Sequence, residues 1–248
     1  MRQTIVSAGE KFKNSLIESG VWDHIIEARN RIFKALLSLI IAVLLSFVMA
    51  EKLIQILAIP AGGVSRLQAI EVTETLSVFM RVAILGGLII SLPFVLYQIL
   101  AFVIPGLTPQ EQKWVYLAIP IATVLFVSGA MFTYFVLLPT ALPFLLMFLG
   151  VETTPTLKNY IEFVTGMIFW VGVSFEAPLV VFVLAKLKIV SAKALLKQWR
   201  IAIVVIAILA AFITPTGDPV NMGLLMLPLS GIYLLSVLFA AVARRDKE

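Results

Sequence analysis

The chain alternates long apolar runs with short polar connections, and the runs have the length that a lipid bilayer demands. Residues 35 to 50 and 82 to 110 contain no Asp, Glu, Lys or Arg. A helix needs about 20 apolar residues to cross a hydrocarbon core of roughly 30 Å, so such runs predict membrane-spanning helices. Extending each run to its polar or proline boundary predicts six spans, at about 32–51, 75–104, 109–138, 159–186, 199–213 and 219–243. Pro93 is expected to kink the second span, and Pro105 with Gly106 to end it. Pro139 and Pro143 are expected to interrupt the third. Asn159 with Glu162 reads as the cap of the fourth, and Asp218 before Pro219 as the start of the sixth. The fifth span, at 15 residues, covers only about 22 Å and needs a thinned bilayer or sheltering neighbours. No internal repeat or linker divides the chain, which reads as one domain, 1–248, with a polar N-terminal segment at 1–31. That segment shows no signal-peptide pattern, so the N-terminus is expected to stay on the side of synthesis.

Composition agrees. Of 248 residues, 61% are hydrophobic and 13% charged, with a mean hydropathy of +1.06. A soluble domain carries about 25% charged residues, so the expected solvent is lipid. The net charge of +5 then speaks of orientation before nucleic acid, which is not an expected partner. With the N-terminus inside, 15 of the 19 Lys and Arg residues fall on the cytoplasmic side. This predicts a multi-pass membrane protein with both termini cytoplasmic. There is no cysteine and one histidine, so disulfides, thiolate chemistry and multi-His metal sites are excluded. HExxH, GxSxG and P-loop motifs are absent as well. Intramembrane proteolysis and ATP hydrolysis thereby lose their usual chemistry, and no cofactor is expected.

Four constellations carry candidate chemistry. In Trp22-Asp23-His24-Ile25-Ile26-Glu27-Ala28-Arg29-Asn30-Arg31, helical spacing puts His24, Glu27 and Arg31 on one face, with Glu27 and Arg31 as an i,i+4 pair. This is either a solvated juxtamembrane helix or a carboxylate presented to a cationic partner, with His24 as a capping or packing residue. Thr108, Pro109 and Glu111 form a capping-box pattern, which explains Glu111 structurally yet leaves it preorganised and facing water. Glu176 lies ten residues before Lys186, about 15 Å deep. An ionisable group at that depth is a functional hypothesis by default, with a protonated Glu bonded to a neighbouring helix as the structural alternative. Lys193, Lys197 and Arg200 share a face between the fourth and fifth spans, an amphipathic pattern suited to anionic lipid.

Taken in order, the motifs resemble the TatC family, the multispanning receptor subunit of the twin-arginine protein translocase. The resemblance rests on His24-Ile25-Ile26-Glu27-Ala28-Arg29-Asn30-Arg31, similar to the family's H-L-x-E-L-R-x-R. It rests further on Pro93, Tyr97-Gln98, Phe102 and Pro105-Gly106-Leu107 followed by Glu111; on Gly172-Val173-Ser174-Phe175-Glu176-Ala177-Pro178; and on Thr214-Pro215-Thr216-Gly217-Asp218-Pro219. Ala28 and Thr216 depart mildly from the pattern. Met222 and Leu234 stand on the sixth span where many members carry polar residues.

The resemblance implies an all-α membrane protein whose six helices form a concave, glove-shaped bundle, N-in and C-in. It implies a receptor for the twin-arginine signal peptides of folded proteins, exported at the expense of the proton motive force. Glu27 and Glu111 would accept the two guanidinium groups, with Arg29, Arg31 and Phe102 completing the binding site. Glu176 and Gln98 would form an intramembrane polar site. Pro60, Pro93, Pro105, Thr214, Pro215 and Asp218 would shape the bundle and its periplasmic end. Expected partners are A-type and B-type single-span Tat subunits, membrane lipids and an oligomeric receptor complex. Two other readings stand beside this one: a proton-coupled small-solute transporter with Glu176 as carrier, and a scaffold for other membrane subunits.

Overall fold

A computed structural model describes residues 2–103, 108–146, 154–214 and 219–245, and these are helical apart from short connections. The first helix, α1 (Arg2–Ala58), is 57 residues long. The sequence marks only 32–51 of it as apolar enough to span, but no proline interrupts the preceding residues and the winding continues through them. It ends where Pro60 enters a single 3₁₀ turn, Ile59–Ala61, followed by Gly62 at φ 91°. Gly62 N donates to Ile59 O, a left-handed stop that suits glycine. Two tyrosines satisfy carbonyls left open at that helix end: Tyr134 OH donates to Ile56 O and Tyr160 OH to Leu57 O.

The helix α2 (Glu74–Val103) returns antiparallel to α1 and carries Pro93 within it. Two glycines make the approach close. A Cβ on Gly87 would lie 2.5 Å from Val43 Cα, and one on Gly86 would collide with the Ser46 hydroxyl. Small residues let helix backbones meet where lipid offers no hydrophobic drive between helices.

The third pass is longer than the expected 109–138. α3 (Pro109–Phe132) runs into a wider π turn, Thr133–Leu137, and then α4 (Leu138–Leu146) without stopping. Pro139 and Pro143 are therefore not the interruption the sequence suggested. Pro139 lacks an N–H and its ring presses toward the carbonyl four residues back, which in the π turn is that of Phe135. The π turn gives that ring room, and the helix persists.

The fourth pass is two helices, α5 (Leu157–Phe175) and α6 (Ala177–Lys186), meeting at Glu176. Its cap is Thr156, whose Oγ1 accepts Asn159 N at 3.2 Å, and not Asn159 itself. Thr156 is extended (φ −73°, ψ 151°), as an N-cap must be, while Asn159 is already helical. α7 (Ala192–Lys197) is capped by Ser191, and α8 (Trp199–Ile213) and α9 (Pro219–Arg245) complete the chain. Five of the helical passes are long and apolar enough to cross a membrane, with α8 the shorter apolar helix among the described residues. Phe126, Leu138, Ile161, Val164, Val171 and Leu225 fill the shared core.

The two ends of the bundle differ. At one, here the terminal face, α1 residues near His24 meet the end of α2, and Trp114 of α3 lies against Phe182 of α6. At the far face, the crossover between α1 and α2 is stitched to α5. Leu157 N donates to Gln68 O, and the buried Glu74 accepts Ile70 N with one oxygen and Lys158 N with the other.

Candidate functional site

Helical spacing on α1 forms the centre of the terminal-face site. Arg31 donates through Nε at 2.9 Å and Nη2 at 2.6 Å to the same oxygen, Oε1 of Glu27. The second oxygen, Oε2, faces His24 Nδ1 at 3.6 Å. The His24 ring stacks on Phe102 with centroids 4.4 Å apart and planes 20° from parallel. Thus the ring that flanks the carboxylate also fastens α1 to the last turn of α2. Glu27 is half-buried, and its Oε2 carries only the longer His24 contact among the described residues. A carboxylate held by one guanidinium on one oxygen can accept a second on the other.

Beside this cluster lies an apolar slot of about 360 Å³ between α1 and α2, lined by Ala28, Arg31, Leu36, Val95, Gln98 and Phe102 among others. Gln98 is almost fully buried there. It shares this slot with Arg31 and Phe102, a grouping that the sequence, pairing it with Glu176, did not bring out. Arg29 turns the other way: its Nη2 donates to Asn30 Oδ1 at 3.3 Å. Glu111 belongs to the first turn of α3, where Gln112 N donates to Thr108 O. The Glu111 side chain lies outside the described residues, as do Pro105, Pro215 and Asp218.

Glu176 occupies the α5–α6 junction, where its N–H donates to Val173 O and its carbonyl accepts Leu179 N and Val180 N. Pro178, the second residue of α6, explains the break: it supplies no N–H to continue the α5 ladder. No ion pair reaches the Glu176 carboxylate among the described residues. Thr214 is buried and closes α8 by donating its hydroxyl to Ala210 O at 2.8 Å. Pro60 sits in the 3₁₀ turn at the far face and Pro93 within α2.

Three features went unread in the sequence. The His24–Phe102 stack joins residues 78 positions apart, so no local period reveals it. Glu74 had a legible signal, an acidic residue directly before an apolar run, but its partner Lys158 N is distant in the chain. Arg81 donates to Glu162 Oε1 at 3.2 Å and Thr165 Oγ1 at 3.0 Å, pinning α2 to α5.

Residues 23–228 match the profile of the family described as Sec-independent protein translocase protein (TatC). The chain is 35% identical over 238 residues to the Sec-independent protein translocase protein TatC of Deinococcus radiodurans, covering 92% of this chain and 88% of that protein. It is 36% identical over 219 residues to the protein of the same name from Synechocystis, covering 88% and 86%. Among solved structures it resembles a crystal structure of the twin arginine translocase receptor TatC. The TM-score is 0.79 at 29% identity, covering 90% of this chain and all of the other.

Proposed function

The chain belongs to the TatC family of Sec-independent protein translocase proteins, and from that premise we propose that its terminal face receives the twin-arginine signal peptides of folded proteins bound for export. The observation that carries the reading is the half-committed carboxylate of Glu27. Arg31 holds Oε1, His24 and Phe102 fix the side chain's surroundings, and Oε2 remains to accept a guanidinium in planar geometry. Glu111, from the first turn of α3, supplies the second carboxylate. The apolar slot lined by Val95 and Phe102 lies where the hydrophobic stretch behind an arginine pair would run. Arg29 and Arg31 position the acidic site and do not themselves contact the arginines.

The terminal face is cytoplasmic, a reading the 15 basic residues assigned to it support, and the protein resides in the cell inner membrane. A-type and B-type single-span subunits assemble with it into an oligomeric receptor complex, and the proton motive force drives transport. The carboxylate of Glu176, at the break in the fourth pass, faces substrate or partner within the membrane. The small-solute transporter reading finds no support, because the relatives are protein translocases.

Binding of a twin-arginine peptide and its Lys-Lys variant to the purified chain tests the proposal. The Arg-Arg form is expected to bind tighter, and Glu27→Ala is expected to weaken it by about 1.5–3 kcal/mol, the worth of a charge-assisted hydrogen bond. Equal affinity for both peptides, or unchanged affinity in the Glu27→Ala plus Glu111→Ala variant, would sink it.

A further inference from the structure

The winding of α7 passes into α8 through a single turn residue. Gln198 N donates to Ala194 O and Leu195 O, and Ile201 N and Ala202 N both donate to Gln198 O. On α8, Ile201, Val205 and Leu209 follow one another at four-residue spacing, and Leu195 and Gln198 at the α7–α8 turn adjoin them. Together they line an open slot of about 310 Å³ whose opposite walls include Ala177, Leu229 and Tyr233. Ile201 is 62% exposed, Val205 48% and Leu209 38%, although all three belong to a membrane helix. The Tyr233 hydroxyl donates to Leu195 O at 2.6 Å and closes the shallow end of the slot against α7.

Above that end the chemistry changes sign. Lys193, Lys197 and Arg200 are exposed, and none has a carboxylate in ion-pair range among the described residues. The Arg200 guanidinium lies 5.6 Å from the ring centroid of the exposed Trp199, an aromatic residue of the kind that settles at headgroup level.

We propose that this slot and its basic rim are a binding site for one anionic phospholipid. Its headgroup phosphate rests among Lys193, Lys197 and Arg200, and one acyl chain lies along Ile201, Val205 and Leu209. Charge complementarity selects the headgroup, since cations between spans at a membrane face recognise anionic lipid. The slot itself is apolar and only its rim is basic, the pattern that one lipid with a hydrocarbon tail and an anionic headgroup complements. A free phosphate would leave the apolar row uncovered. The site uses α6, α7, α8 and α9, and so stands apart from the proposed signal-peptide site on α1, α2 and α3.

The test is lipid retention by the full chain in nanodiscs of phosphatidylcholine and phosphatidylglycerol at about four to one, re-extracted in mild detergent and weighed by native mass spectrometry. Phosphatidylglycerol is expected to be retained over phosphatidylcholine. Lys193→Gln plus Lys197→Gln is expected to weaken that retention by roughly tenfold or more, and Lys193→Arg plus Lys197→Arg to preserve it. Ala202→Trp, which fills the shallow end of the slot and leaves the cations, is expected to lower retention too. Lys11→Gln plus Lys13→Gln removes equal charge elsewhere and is expected to change nothing. Retention without headgroup preference, an equal loss in the Lys11 and Lys13 control, or full retention by Ala202→Trp would overturn the proposal. So would displacement of a single-span subunit by Ala202→Trp with lipid retention intact, which would make the slot a partner's seat.

Discussion

The Glu27 carboxylate owes its aim to a ring it does not bond covalently or through any backbone. His24 lies one turn before it, and the stack on Phe102 fixes where that ring can stand. An aromatic pair of this kind is worth about 0.5–1.5 kcal/mol beyond its buried area. His24→Ala is therefore expected to weaken signal-peptide binding by a few-fold to tenfold, while His24→Phe keeps the stack and most of the affinity. Calorimetry on both variants separates the stack from the contact with Oε2: equal losses would assign the effect to the imidazole nitrogen instead. At the far face a second glutamate acts structurally. Glu74 is 3% exposed and accepts backbone N–H groups from two separate segments, Ile70 and Lys158. Replacing it by Ala removes the acceptor that ties the two segments together, so Glu74→Ala is expected to lower the unfolding temperature by several degrees and Glu74→Gln by less. Amide exchange at Lys158, faster in Glu74→Ala than in the parent, is the local signature to look for.

Among elements, the α1–α2 contact depends on a missing methyl group. A Cβ at Gly87 would meet both Val43 backbone and side chain at 2.5 to 2.6 Å, so Gly87→Ala must push two helices apart. The expected cost is about 1–3 kcal/mol, as for other overpacked interfaces. Gly223→Ala on α9 is the matched comparison: a Cβ there meets nothing within 4 Å, and alanine is the better helix former. Thermal unfolding in one detergent should separate the two by sign. The same elements show what was legible in the sequence. α8 lies at the expected 199–213 because polar and proline boundaries bracket an uninterrupted apolar run. The Glu27–Arg31 pair was legible because it is set by spacing within one helix. α4 was not, because the π turn before Pro139 leaves its ring room and lets the winding continue, and nothing in the apolar pattern announces that turn. The cap at Thr156 was likewise hidden, since Asn159 offers an equally good capping residue three positions on and only the Gln68 and Glu74 contacts fix the start at Leu157. Residues that meet across helices, such as His24 with Phe102, leave no trace in periodicity.

For the whole molecule, the decisive asymmetry is charge between the two faces, and the absence of cysteine makes it directly measurable. Val72, fully exposed in the far-face crossover, and Lys193, exposed on α7, stand on opposite sides of the bundle. In intact cells Val72→Cys is expected to react with a membrane-impermeant maleimide and Lys193→Cys only after lysis; the reverse pattern would invert the topology and remove the signal-peptide site from the cytoplasm. The short α8 adds a constraint on the bilayer itself. Its 15 residues rise about 22 Å, against a hydrocarbon core of roughly 30 Å, while α9 beside it has 27 residues. The lipid must therefore thin on the α8 side, or neighbouring helices must shelter the ends of α8. Mismatch costs only fractions of a kcal/mol per Å, but it accumulates over several ångströms. Reconstituted in phosphatidylcholines of increasing chain length, the protein is expected to unfold at progressively lower temperature once the core exceeds that thickness. A series of α8 variants lengthened by one turn of leucines should flatten the dependence, and a chain-length profile unaltered by that insertion would show that α8 is sheltered by its neighbours and not by thinned lipid.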